Sequence, residues 1–396
     1  MGRRKFVIAG LGAAAAPLLA RTTFAAEPGQ DIGTKPVSVR AYGTNNATTP
    51  LAALQIERRA VGPHDVLIDV LYCGICHSDI HQARNEWKTS APTIYPCVPG
   101  HEIIGRVEAI DSAVTKFKVG DIGGVGCMVD SCRTCPTCQA DREQNCEKGA
   151  TFTYNSPDAV LGGHTYGGYS DNMVVQEHFV IRIPPGLDLA ATAPLLCAGI
   201  TTFSPMQHWK LEPGQRVGVI GLGGLGHMAV KLGVARGAEV TVFTTSPGKI
   251  EGAKRLGAKS ALLWSDTDGM TALNNYFDLL IYAVPYSRPM QQLIDLLKLD
   301  ATMVNVGAVE PLDEAGLHGM AMAFGRKSLA GSVIGGIAET QQMIDYCAAR
   351  NIKADIELIR PDQINQAFER VVNKDIRYRF VIDFASTKKV SLEQKR

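Results

Sequence analysis

The sequence has almost no excess charge of either sign: 40 Lys and Arg stand against 39 Asp and Glu, a formal +1 over 396 residues. A nucleic-acid surface needs clustered cation, and this balance gives no sign of one. Heptads, low-complexity tracts and short-period repeats are missing, which leaves out coiled coils and solenoids. Long apolar runs are missing too. From residue 27 onward nothing approaches the about 20 residues of a membrane-spanning helix, so the mature chain reads as soluble, with no membrane partner. With 45% hydrophobic and 20% charged residues, the composition is that of a globular protein. The length suggests two domains or more.

One apolar run does stand out. Gly2-Arg3-Arg4-Lys5-Phe6 precedes a Gly/Ala/Leu-rich stretch, Val7 to Ala20, then Arg21 and small residues ending at Ala25-Ala26. A charged start, an apolar middle and a small-residue exit make a signal peptide over residues 1–26. The paired arginines suggest the twin-arginine route, which carries folded proteins. The expected location is the periplasm, with the cytoplasm as alternative. Arg3, Arg4, Lys5 and Arg21 are the segment's charges, so its removal takes the formal charge from +1 to −3.

Cysteine is plentiful, at ten residues. In an exported chain that would suggest disulfides, but the spacing points to metal. Cys132-x2-Cys135-x2-Cys138-x7-Cys146 places four thiols in fifteen residues, the donor set of a closed, structural zinc site. Pro136 and its polar neighbours suit a loop. Two disulfides or an iron–sulfur cluster are the alternatives, the latter with spacing unlike the usual ferredoxin runs. Loading of the thiolates before folded export reconciles the two signals.

Short apolar runs broken by Gly and Pro, such as Val66–Val70 and Ile103–Val107, fill the chain to about Pro185 and suggest a β-rich or barrel-like unit. After Pro213-Gly214 strands and helices alternate: strand Arg216–Ile220, helix Leu225–Arg236, strand Glu239–Phe243, helix Gly248–Leu256, strands Tyr276–Val284 and Ala301–Val306. That alternation predicts a doubly wound parallel sheet. Gly221-x-Gly223-x-x-Gly226, between the first strand and helix, is the dinucleotide turn, with Leu222, Gly224 and Leu225 completing it. Enzymes for NAD place an acid roughly 20 residues beyond such glycines. This chain has Thr244-Thr245-Ser246-Pro247-Gly248-Lys249 instead. No carboxylate opposes a 2′-phosphate there, the hydroxyls can donate to it, and Lys249 adds charge, so NADP is expected.

A dispersed group, Cys76, His101 and Cys197, has the Cys2His composition of an open catalytic zinc site, although spacing alone does not bring the three together. At these residues the chain resembles the zinc-containing medium-chain alcohol dehydrogenases, within them the cinnamyl alcohol dehydrogenase-like group of NADP-dependent aldehyde reductases. The resemblance is carried by Cys73-Gly74-Ile75-Cys76-His77-Ser78-Asp79, Pro99-Gly100-His101-Glu102-Ile103-Ile104-Gly105, the four-cysteine loop, Pro194-Leu195-Leu196-Cys197-Ala198-Gly199, Gly221–His227 and Arg377-Tyr378-Arg379-Phe380-Val381. It runs from about Val37 to the last strand.

The resemblance implies a GroES-like catalytic domain over 34–187, a Rossmann domain over 188–325, and a tail, 326–388, that returns to the catalytic unit through helix Thr340–Arg350 and strand Arg379–Ile382. It implies two zincs per chain. Cys76, His101 and Cys197 would hold the catalytic one, with Glu102 as exchangeable fourth ligand and Asp79 orienting His101. Such a zinc is a Lewis acid toward the oxygen of an alcohol or aldehyde. Ser78 and His81 would carry the proton outward. His77 and Arg379 would meet the coenzyme pyrophosphate. Thr201, Val306-Gly307-Ala308 and Ser332-Val333-Ile334 would line the nicotinamide. Tyr282-Ala283 departs from the polar pair of the plant enzymes, at the cost of one coenzyme contact. Trp87, Ile94 and Phe152 are candidate pocket walls.

The expected activity is reversible hydride transfer between NADP(H) and primary alcohols or aldehydes of broad type, with a homodimer as a possible assembly. A polyol dehydrogenase of the same superfamily is disfavoured by Cys197 and by the hydroxyl-lysine run. A zinc-free quinone reductase is disfavoured by both ligand sets. A non-catalytic NADPH sensor would have no use for Ser78 and His81.

Overall fold

The computed structural model describes residues 35–286, 288–307 and 316–393; the signal-like residues 1–26 and Ala308 lie outside them. A hairpin, Val37–Gly43 with Ala52–Arg58, opens the described chain. A seven-stranded sheet follows. Its backbone is the long strand Asp65–Ile75, which pairs antiparallel with Ile103–Ile110 on one side, and with Asn172–Gln176 and Arg379–Asp383 along the other. Ile68, Ile75 and Ile103 are fully buried. Each such side chain contributes about 1.5–3 kcal/mol on burial.

The second sheet has six parallel strands in the order Ser260–Leu263, Glu239–Thr244, Arg216–Ile220, Phe277–Tyr282, Leu297–Asn305, Ser328–Gly331. Four of the five residues of Arg216–Ile220 are buried, as expected of a strand covered on both faces. The chain leaves this strand on one side for Glu239–Thr244, then crosses to Phe277–Tyr282 on the other. The order reverses there, and in such sheets ligands bind in the crevice at that reversal.

The expected elements lie close to those found. The first helix is Gly224–Ala235. The second begins as a tight turn at Pro247–Lys249 and continues as Ile250–Arg255, because the proline fits only the first turn. Where a plain loop was expected in the cysteine segment, Pro136–Gln139 makes one helical turn with proline at its start. Ser328–Gly331, beyond the expected break at 325/326, still pairs with the parallel sheet. The tail then returns: Ile356–Ile359 pairs with Arg379–Asp383, which pairs with Asp65–Ile75. Among the described residues no single helix is long and apolar enough to cross a membrane.

Candidate active site

Asp65–Ile75 delivers Cys76 to the start of a short helix, His77–Ala83. The Cys76 N–H donates to Asp79 Oδ2 at 2.8 Å, three residues on, the reach that closes a first helical turn. The same fully buried Asp79 accepts from the Gly100 N–H at 3.0 Å and the Tyr169 hydroxyl at 2.9 Å, and its Oδ1 lies 3.2 Å from His101 Nδ1. One carboxylate thus ties the Cys76 segment to the His101 segment and fixes which imidazole nitrogen faces away. Gly100 sits at φ +107, where an added Cβ would meet the Tyr169 ring and Cys73 Sγ. Only glycine lets the chain turn there.

His101 Nε2 points at Cys197 Sγ, 3.2 Å away, and Cys76 Sγ is 4.0 Å from Cys197 Sγ. With Glu102, these residues offer four buried ligand atoms all within 4.8 Å of one another. A hydrogen bond from Cys197, helped by Arg379 and His101, holds the Cys76 thiol well below the usual range. Both Glu102 oxygens are buried without an aligned hydrogen bond, although Arg379 Nη2 stands 3.0 Å from one of them. Burial pushes this carboxyl up to about 8, against the pull of Arg379. Two thiols, an imidazole and a buried carboxylate within 4.8 Å of one another are a donor set that fits a zinc ion.

The four-cysteine loop closes in the same manner. Cys132 and Cys138 sulfurs are 3.9 Å apart, Cys135 and Cys146 4.0 Å. Sulfurs at about 2.3 Å around a tetrahedral zinc are separated by about 3.8 Å, whereas a disulfide needs about 2.05 Å. Backbone N–H groups of Cys132 and Cys135 donate to Cys146 and Cys132 sulfurs, which offsets thiolate charge. The Thr137 hydroxyl, first among several donors, holds Cys135 down to about 5.

Cys76, His101 and Cys197 face a cleft of about 680 Å³, whose far wall is the glycine turn. Gly221 takes φ +95, and a Cβ on Gly226 would stand 1.9 Å from the Gly221 carbonyl. The helix therefore packs directly on the turn, while nothing lies within 4 Å of the space beside Gly223. That is a cradle for pyrophosphate at a helix N-terminus. Leu222, Gly224 and Leu225 line the same wall, and the Arg379 guanidinium lies against Gly224. Thr201 faces the cleft one turn into the helix Ala198–His208, which starts directly after Cys197. Thr244, Thr245, Ser246 and Lys249 line its other end, with Lys249 Nζ donating to the Leu222 carbonyl at 2.9 Å. Burial, then Lys374 and Arg377, lower the Lys249 ammonium.

Comparison with known proteins agrees with this geometry. Residues 62–185 match the alcohol dehydrogenase GroES-like domain and residues 224–349 the zinc-binding dehydrogenase family. The aldehyde reductase YahK of Escherichia coli is 50% identical over 349 residues, covering 88% of this chain and 98% of that protein. The chain belongs to the zinc-dependent medium-chain alcohol dehydrogenases, in their cinnamyl alcohol dehydrogenase-like group. The NADP-dependent alcohol dehydrogenase C of Mycobacterium bovis is 51% identical over 88% of this chain and 99% of its own. A parsley (Petroselinum crispum) protein named mannitol dehydrogenase is 50% identical over 85% of this chain and 98% of its own. Among solved structures, a cinnamyl alcohol dehydrogenase from Sorghum bicolor superposes with a TM-score of 0.84 at 43% identity, over 88% of this chain and 98% of that one.

In this dehydrogenase not every expected residue reaches the cleft. Val306, Gly307, Val333 and Ile334 line it, but Ser332 does not; its N–H is bound to the Asn305 carbonyl at 3.0 Å. Asp79, Glu102 and Gly226 stand behind the walls. Trp87 and Phe152 are walls, whereas Ile94 is 44% exposed and outside the cleft: its backbone N–H is bound to the Asn155 side chain, while its own side chain faces solvent.

The structure adds residues that the sequence did not single out. Tyr154 and Asn155 join the substrate wall, the Tyr154 ring 5.5 Å from that of His101. Glu86 pairs with His81 Nδ1. Ser78 Oγ is 3.5 Å from Cys76 Sγ, and the His81 ring lies between those of His77 and Trp87, at 4.7 and 5.0 Å. Burial, and then His81, lower the His77 imidazole, which lines the cleft. Glu86 is half exposed. Ser78 thus stands beside the ligand cluster and His81 is joined to the half-exposed Glu86, both histidine and serine facing the cleft. An acid five residues past a histidine has no periodic signature, which is why Glu86 escaped notice.

Proposed function

We propose that this enzyme transfers hydride reversibly between NADP(H) and primary alcohols or aldehydes of broad type. The observation that carries the reading is the buried Cys76–His101–Cys197 set, with Glu102 behind it, on one wall of a cleft whose opposite wall is the dinucleotide turn. When bound, zinc supplies a Lewis acid for the substrate oxygen and NADP(H) supplies the hydride. Asp79 fixes the His101 ring. Ser78 takes or returns the substrate proton, and His81 with Glu86 moves it to solvent. Trp87, Phe152 and Tyr154 exclude water and pack against apolar substituents, which favours aliphatic and aromatic aldehydes. The parsley relative's name keeps polyols as a second reading. A panel of aromatic, aliphatic and polyol substrates, followed by nicotinamide absorbance with NADPH and with NADH, tests both. Turnover of mannitol far above any aldehyde would displace the first.

Coenzyme choice rests on the hydroxyls of Thr244, Thr245 and Ser246 and on Lys249. Lys249→Ala is expected to raise the KM for NADPH about tenfold or more, since a charge-assisted hydrogen bond contributes about 1.5–3 kcal/mol. The KM for NADH should change little. An equal effect on both coenzymes would remove Lys249 from the 2′-phosphate.

We also propose export in the folded state. The support is the charged, apolar and small-residue order of residues 1–26. Replacing Arg3-Arg4 by two lysines should trap the protein in the cytoplasm at full length. Wild-type protein found there uncut would end the export proposal and leave the dehydrogenase untouched.

A further inference from the structure

We propose that Glu143, inside the four-cysteine loop, is a positioning residue that holds the nicotinamide-side segment Val333–Gly336 in place, so that the structural zinc lobe sets coenzyme affinity. The inference rests on the reading of this cleft as an NADP site. Glu143 lies between Cys138 and Cys146 and is 1% exposed. Its Oε1 accepts from His178 Nε2 at 2.8 Å, and its Oε2 accepts from the Ile337 N–H at 3.1 Å. Ile337 begins the 13-residue helix Ile337–Ala349, and the residue at its cap is Gly336, which has no side chain to satisfy the free N–H groups. Glu143 does this from 194 residues away in sequence, with a negative charge at the positive end of the helix.

The contact is close in a second place. A Cβ on Gly336 would stand 1.9 Å from the Asp141 carbonyl and 2.8 Å from Glu143 Oε2. The zinc loop and the helix start therefore touch backbone to backbone. Immediately before this clamp lies Ile334, a β-branched residue at φ +39. That region is unfavourable for such a side chain and persists only where the surroundings impose it. On one side the Ser332 N–H is bound to the Asn305 carbonyl; on the other are Gly336 and Ile337, held by the zinc loop. Between these anchors Val333 and Ile334 face the cleft. Releasing one anchor lets Ile334 relax toward an ordinary conformation and away from the coenzyme.

The test uses full-length, zinc-loaded enzyme and measures NADPH affinity by fluorescence titration, steady-state KM and kcat, and zinc per chain. Glu143→Ala should raise the Kd and KM for NADPH about tenfold while two zincs are retained and the aldehyde KM moves less than twofold. Glu143→Gln keeps an acceptor for the Ile337 N–H but loses the charge, and should fall between. Gly336→Ala, which pushes the helix start off both the Asp141 carbonyl and Glu143 Oε2 while keeping the carboxylate in the chain, should reproduce the Ala defect, and stands in if Glu143→Ala does not fold. Unchanged NADPH affinity in Glu143→Gln and Gly336→Ala overturns the inference. So does loss of the structural zinc in Glu143→Ala, which would make the carboxylate a support of the loop alone. If wild-type enzyme binds no NADPH, the functional reading falls and this inference with it; wild-type binding with unaffected variants removes only the inference.

Discussion

Cys197→Ser is expected to lower kcat/KM for aldehyde reduction by at least about three orders of magnitude. A metal acting as Lewis acid contributes several kcal/mol to the transition state, and each 1.36 kcal/mol is a factor of ten. The serine hydroxyl is a poor zinc donor, and it stands where the sulfur now faces both Cys76 and His101. Elemental analysis should fall from two zincs per chain to one, because the Cys132–Cys146 loop is untouched. NADPH should still bind, since the glycine turn and Lys249 lie on the other wall. Activity within tenfold of wild type, with two zincs present, would sink the assignment of the catalytic metal.

Cys135→Ser should act on the fold instead. Zinc in closed cysteine sites contributes about 10–16 kcal/mol of apparent binding energy in isolated peptides, comparable to the about 5–15 kcal/mol net stability of a domain. Cys135 Sγ faces Cys146 Sγ, so the substitution takes one of the four sulfurs out of the set and leaves it open. Insoluble protein, or a Tm lowered by at least about 10 °C, is the expected result. A soluble variant melting with wild type, at unchanged zinc content, would return the loop to plain packing.

How much of this was legible depended on range. The four-cysteine loop and the glycine turn could be read because their geometry is local: two-residue gaps fold sulfurs together, and a helix packed on its own turn excludes a Cβ at Gly226. The alternating elements after Pro213 were found nearly in place because parallel strands buried on both faces are continuous apolar runs. The dispersed ligands were legible only through the family resemblance; spacing could not show that Cys76 and Cys197 meet. Contacts made by side chains across the fold left no trace in sequence. The pairing of Glu102 with Arg379, the Tyr169 hydroxyl on Asp79 and the reach of Glu143 to Ile337 each depend on how distant strands pack. Ile94 was misplaced for the same reason: an isolated apolar residue in a loop does not say which way it faces.

The antiparallel pairing of Arg379–Asp383 with Tyr72–Ile75 has a consequence for biosynthesis. The strand that leads into Cys76 leaves the ribosome long before the partner for its last four residues does. Until then that stretch presents an open sheet edge, the kind of surface on which unfinished chains pair wrongly. Arg379, which faces both Glu102 and the glycine turn, arrives with the same strand. The catalytic sheet is incomplete until Arg379–Asp383 has been made and has paired. A stop codon a few positions before 379 would leave every zinc ligand encoded and no working enzyme.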